Sequence, residues 1–325
     1  MPRTHTLLLT IGIAALTLLG GCGDTDFSET ASNTGRLVVY ADEAYAPLIR
    51  TLADTFMVNN PKARIEVRVA SARQSLQGLL DALAAADPGV DSVTAVAVVA
   101  RPLLEDEQNA VNRIQKESKG DIEFKRYLLA YDGLGLVLPL STTIRYAIRE
   151  GTMQAMASRT PRLGMIDSSS STTPIAFVSL DGNSSIYQIV RSNLAGGKTP
   201  VAPIYTYSTS DSVLEAVANG KGIGLMGWWR ARRDSARVRA LPMAYIDSIG
   251  VLRSATVSHP ITLAGNAYPV KIPLTGYTFA PYRSLGVGFL VWMERNIQAE
   301  RYFTYTALMQ PANAKISVSL PDTEQ

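Results

Sequence analysis

The chain has 325 residues, 46% hydrophobic and 18% charged, enough for one large or two ordinary domains and too apolar for wholesale disorder. Its 31 Lys and Arg against 28 Asp and Glu leave a net charge of +3, too mild for a nucleic-acid footprint. One Cys and two His exclude an internal disulfide, a cysteine metal cluster and a His-based zinc or iron site, and no cofactor is expected.

Residues 1–21 read as an export leader. Arg3 precedes the apolar stretch Leu7–Leu19, which is shorter than the roughly 20 residues of a spanning helix. Leu19-Gly20-Gly21-Cys22 resembles a bacterial lipobox, which implies cleavage before Cys22, its lipidation and a membrane anchor outside the cytoplasm. The polar segment 22–35 is expected to be a flexible tether.

From Arg36 the pattern alternates strand and helix. Leu37–Tyr40 is a buried-strand candidate, Ala41–Tyr45 a loop, and Ala46-Pro47 opens a helix with Leu48, Leu52 and Phe56 on one face. Asn59-Asn60-Pro61 ends that helix. Ile65, Val67 and Val69 alternate with charged residues as a half-buried strand. Loop 70–74 leads to a helix with Leu76, Leu79, Leu80 and Leu83 inward, and Val93–Val99 is a third strand. The unit recurs at strand Ile175–Leu180 and helix Ser185–Leu194, then at strand Tyr205–Tyr207 and a helix capped by Asp211, followed by the Gly-rich strand Gly222–Trp228. Two helical stretches, Ser284–Arg295 and Gln298–Leu308, close the chain. Such alternation predicts an α/β protein with mostly parallel sheets, binding its ligand where strand ends meet helix N-termini.

Several segments together resemble the phosphate-type solute-binding proteins of ABC importers, with the type II periplasmic-binding-protein fold. Asn266–Val270 with Pro273-Leu274 and Tyr277 is similar to that family's Tyr-Pro-Leu-Ser-Arg-Pro-Leu-Tyr stretch. Tyr131–Val137 resembles its first interlobe crossover, Gly222–Gly227 its Gly-Ala-Ile-Gly-Tyr-Val strand, and Ala100-Arg101-Pro102-Leu103 with Glu105 and Glu107 its Ser-Arg-Pro-Leu…Glu-Glu segment. The resemblance implies two lobes with an interlobe cleft, lobe one from 36–134 plus 266–325 and lobe two from 135–265. It also implies a monomeric, lipid-anchored, non-enzymatic receptor in the cell envelope, passing a small anion such as phosphate to an importer permease, with no nucleic-acid partner.

The binding loops depart from the family's pattern. The expected ligand-binding set is Ala41, Asp42, Glu43 and Ala44 after the first strand, Ser71, Ala72 and Arg73 after the second, and Asn183, Ser184 and Ser185, with Ser179 where the family carries an Arg. Arg73 is a candidate counter-charge or a solvated loop residue. Asp42 is a candidate acceptor for the proton of monohydrogen phosphate, with Glu43 turned to solvent, or else a helix cap. The Asn183–Ser185 run caps a helix whether or not a ligand binds. The run Arg230, Arg232, Arg233, Arg237 and Arg239 reads as a solvated helix face, and Trp228-Trp229 as core or hinge packing. An altered relative serving as an envelope sensor or scaffold is the alternative. A serine hydrolase is disfavoured, because no Gly-x-Ser-x-Gly elbow occurs and His259 precedes Pro260 without an evident partner.

Overall fold

Three Val- and Ala-rich strands form the first layer: β1 (Gly35–Asp42) lies parallel to β2 (Ala63–Ala70) on one side and to β3 (Ala95–Val99) on the other. The computed structural model describes residues 32–85, 95–117, 123–279 and 284–311, so the 1–21 leader, Cys22 and most of the tether lie outside the described residues. Helices α1 (Ala46–Asn59) and α2 (Ala72–Ala84) make the parallel crossovers. All five β3 residues are buried, and their alternation explains why: Val96 and Val98 join the main core with Leu48, Leu52 and Phe56 of α1, while Ala95, Ala97 and Val99 pack on Leu76 and Leu79 of α2.

After α3 (Glu105–Glu117), the 16-residue strand β4 (Phe124–Pro139) joins the two halves of the sheet. Up to Gly133 it pairs antiparallel with β12 (Lys271–Phe279); from Leu134 onward it pairs with β8 (Ile223–Gly227) and β9 (Val238–Leu241). Beyond β8 come β6 (Phe177–Leu180) and β7 (Ile204–Tyr207), parallel and linked through α6 (Ser185–Leu194) and α7 (Ser210–Ala218). The order is β2-β1-β3-β12-β4-β8-β6-β7, one curled sheet whose two ends form separate α/β lobes with a cleft between them. A small sheet of β5 (Ala147–Ile148), β10 (Met243–Ile246) and β11 (Leu252–Thr256) packs with α4 (Arg149–Met156) and α5 (Leu163–Asp167). The short helices α8 (Trp228–Arg233) and α9 (Pro260–Ala264) and the terminal α10 (Leu285–Arg295) and α11 (Ile297–Tyr305) complete the fold. Among the described residues no helix is long and apolar enough to cross a membrane.

The passage between lobes is tied by Tyr268, whose hydroxyl donates to the Leu134 carbonyl at 2.6 Å, while the Leu134 amide donates to the Val270 carbonyl at 2.9 Å. A Cβ on Gly133 would meet the Tyr268 ring at 2.4 Å, so only glycine lets the tyrosine lie against the strand. The Tyr-Pro segment and the crossover motif are thus two sides of one joint.

Several local expectations shift. α2 begins at Ala72 because Ser71 and Gln74 form a capping box, which draws Gln74 out of the expected loop. Thr209, not Asp211, caps α7: its hydroxyl accepts from the Ser212 amide at 3.2 Å, and Asp211 pairs instead with Arg230. α11 ends at Tyr305 rather than Leu308, and the left-handed Ala307 (φ 66°) turns the chain away. The basic run divides. Arg232, Arg233 and Arg237 are exposed; Arg230 is buried between Asp211 and Asp234; Arg239 lies on β9 and donates to the Thr142 and Ile144 carbonyls.

Candidate ligand cleft

Asp42 ends β1 and has no exposed surface. Its Oδ1 accepts from the Ala44 amide at 3.5 Å, which starts a 3-10 turn over Glu43–Tyr45, and its Oδ2 has no hydrogen-bond partner. Burial pushes the carboxyl up to about 6, and the neighbouring Glu43 charge raises it too; the Ser185 hydroxyl and the Ala44 and Ala100 amides pull it down. Ser185 comes from the other lobe, at the first turn of α6, and its Oγ accepts from the Ala100 amide at 2.9 Å. Three strand-end or helix-head positions therefore meet: Asp42 after β1, Ala100 after β3 and Ser185 on α6. Ser179 adds a second buried polar atom without a partner, on the strand leading to α6.

The other expected positions divide between cleft and scaffold. The Arg73 amide donates across the cleft to the Asn183 carbonyl at 3.2 Å, but its guanidinium pairs with Asp106 on the exposed surface. Ser71 is engaged by Gln74 as a helix cap, and Ala41 and Ala72 are core residues. Ser184 caps α6, accepting from the Tyr187 amide at 3.1 Å and donating to the Asp181 carbonyl at 2.7 Å. The Asn183 backbone amide donates to Asp181 Oδ1 at 2.9 Å, and it is the Asn183 backbone carbonyl that meets Arg73 across the cleft. Glu43 does not turn to solvent: its carboxylate reaches Ser210 on lobe two.

Beneath the cleft lies a polar hub that the residue pattern does not announce. Asp132, on β4 just before the lobe change, is 1% exposed. Its Oδ2 accepts from the Tyr45 hydroxyl at 2.9 Å, its Oδ1 from the Gly133 amide at 2.7 Å, and the Trp229 amide lies 3.4 Å from both oxygens. Burial raises this carboxyl to about 7 against the pull of those three donors. Tyr45 stacks on Trp229 with centroids 5.8 Å apart, so lobe one, the crossover strand and lobe two meet on one carboxylate. Burial and the Asp132 charge hold the Tyr45 hydroxyl well above its ordinary value.

The Arg101-Pro102 segment has a structural reason for its form. Arg101, 1% exposed, makes a two-pronged pair with Glu107 at 2.7 Å for each oxygen, and Glu107 also accepts from the Leu104 amide at 2.8 Å. Among the described residues no group of three or more His, Cys, Asp and Glu side chains is placed to hold a metal ion.

Comparison with known proteins places this architecture. A phosphate ABC transporter substrate-binding protein of Clostridium perfringens, solved with bound phosphate, superposes with a TM-score of 0.64 at 14% identity, covering 85% of this chain and 99% of that one. An ABC-type phosphate transport receptor of Vibrio cholerae gives 0.58 at 14% identity over 85% and 100%. A Corynebacterium glutamicum OxyR mutant bound to hydrogen peroxide gives 0.53 at 14% identity over 94% and 76%, so one fold serves different proteins. No curated protein matches the sequence. The family model described as the PBP superfamily domain matches residues 28–296, and the chain belongs to that family.

Proposed function

We propose that this protein is a lipid-anchored, extracytoplasmic receptor of an ABC import system, taking phosphate or a similar small oxyanion between its lobes. Cys22 carries the anchor, lobe one is 36–134 plus 266–325, and lobe two is 135–265. The observation that carries the reading is Asp42: a fully buried carboxylate raised above its ordinary value, facing the Ser185 hydroxyl at a helix head of the opposite lobe. Monohydrogen phosphate has a P–OH to donate to that carboxylate, and its remaining oxygens accept from amides and from the Ser179 and Ser185 hydroxyls. Sulfate has no such proton and meets only repulsion from Asp42. The solved structures with this fold that are described as phosphate receptors support the same class of solute.

Titration calorimetry tests the reading directly. The native protein is expected to bind phosphate in preference to sulfate, and Asp42→Asn to lose that preference. Acidification through pH 6 protonates Asp42, turns one of its oxygens from acceptor to donor and is expected to erode the preference for phosphate over sulfate, as Asp42→Asn does. Absence of phosphate heat, or an unchanged preference in Asp42→Asn, refutes the proposal.

A further inference from the structure

Glu43 sits where lobe one faces lobe two, and its carboxylate crosses the gap. One oxygen accepts from the Ser210 backbone amide at 2.8 Å and the other from the Ser210 hydroxyl at 2.7 Å. Ser210 is the first residue of the nine-residue α7 and is 6% exposed. A carboxylate at this end of a helix gains from the dipole as well as from two charge-assisted hydrogen bonds. Two residues along, the Ser212 amide is already taken by the Thr209 hydroxyl, and Asp211 pairs with Arg230, which Asp234 shares. The seat on lobe two is thus shaped for one carboxylate. Two further bonds across the cleft, from the Ala100 amide to Ser185 and from the Arg73 amide to Asn183, involve no charge.

We infer that Glu43 is an internal ligand of lobe two: a carboxylate of lobe one that occupies the anion seat at the head of α7 and ties the two lobes together. The cleft then opens by releasing this latch, and solute entry is coupled to that release. The neighbouring Asp42 stays available for the solute, because the 3-10 turn sends consecutive carboxylates to different partners. This inference goes beyond the class of solute and stands whichever anion the cleft accepts.

The test combines small-angle scattering with amide hydrogen exchange on the anion-free protein. The native chain is expected to scatter as the closed form and to protect the Ser210 amide. Glu43→Ala lowers the closed-to-open ratio and the Ser210 protection at least about tenfold, the low end for losing a hydrogen bond to a charged group. Excess acetate, a free carboxylate for the vacated seat, restores the Ser210 protection but not the closure in Glu43→Ala, because it is not tethered to lobe one, and leaves the native protein unchanged. Ser210→Ala, which keeps the amide and removes only the hydroxyl, shows a smaller loss of protection at the same position and carries the test if Glu43→Ala fails to fold. An open native form, native-like scattering and exchange in the variants, or no response to acetate each overturns the inference. Phosphate calorimetry on the same variants reads the solute site separately.

Discussion

Replacing Asp132 by Asn removes one titrating group from the joint between lobes while keeping its shape. In the native protein the folded carboxyl is raised from 3.8 to about 7. The folded state therefore binds the proton more tightly than the unfolded chain. The associated stability is complete below pH about 4 and is lost as the pH rises through about 7. A displacement of roughly three pH units corresponds to about 4 kcal/mol, an order-of-magnitude figure for so buried a group. The carboxamide introduced by Asp132→Asn mimics the neutral acid, its oxygen accepting from the Gly133 and Trp229 amides and its nitrogen facing the Tyr45 oxygen. Native and variant proteins should be equally stable near pH 4, and the variant should pull ahead by up to about 4 kcal/mol near pH 8. Urea unfolding midpoints measured from pH 4 to pH 8 give the comparison directly, because other carboxylates titrate in both proteins and cancel. Parallel curves, separated by a constant amount, would mean that Asp132 does not titrate in this range and that the hub is hydrated or paired in solution.

Glu107→Gln strands the buried Arg101 charge and should cost about 3–5 kcal/mol in denaturant unfolding, whereas Arg101→Met with Glu107→Leu should recover most of it. Gly227→Ala places a methyl 2.5 Å from Asp132 Oδ2 and 2.6 Å from the Tyr45 hydroxyl, so thermal unfolding should register a loss of about 1–3 kcal/mol. Cys22→Ala should release the protein from the membrane fraction or block its maturation; unchanged processing and retention in cell fractionation would end the lipid-anchor proposal.

Elements whose form depends on neighbours along the chain were legible. α6 spans the Ser185–Leu194 stretch that its apolar face and Ser cap indicate, and β3 is the run of small and β-branched residues that reads as a buried strand. The cleft was legible in its positions more than in its side chains. Arg73 reads as a counter-charge if the helix starts after it. Once the Ser71–Gln74 capping box is noticed, Arg73 becomes a first-turn residue, and here it points to Asp106 on α3. Asp132 stands within a strand-like run, and nothing nearby signals its role, because its partners Tyr45 and Trp229 are 87 and 97 residues away. Glu43 meets Ser210 across 167 residues, and a lone carboxylate in a loop carries no sign of such a partner. Local chemistry shows which residues can accept or donate; tertiary packing decides which of them meet.

The pairing of β3 with β12 also bears on how the chain acquires its shape. Val99 lies opposite Thr275, and Ala97 opposite Tyr277. During synthesis from the N-terminus, β1, β2 and β3 are available to assemble long before residues 271–279 exist. Until then the far side of β3, five small apolar residues with open backbone donors and acceptors, is an unprotected edge of the kind that recruits another strand. The late strand closes it at the price of a very long loop, which slows folding. A chain that has delivered β3 but not yet β12 consequently exposes an aggregation-prone edge, and a truncation before β12 would be expected to accumulate insoluble rather than half-folded.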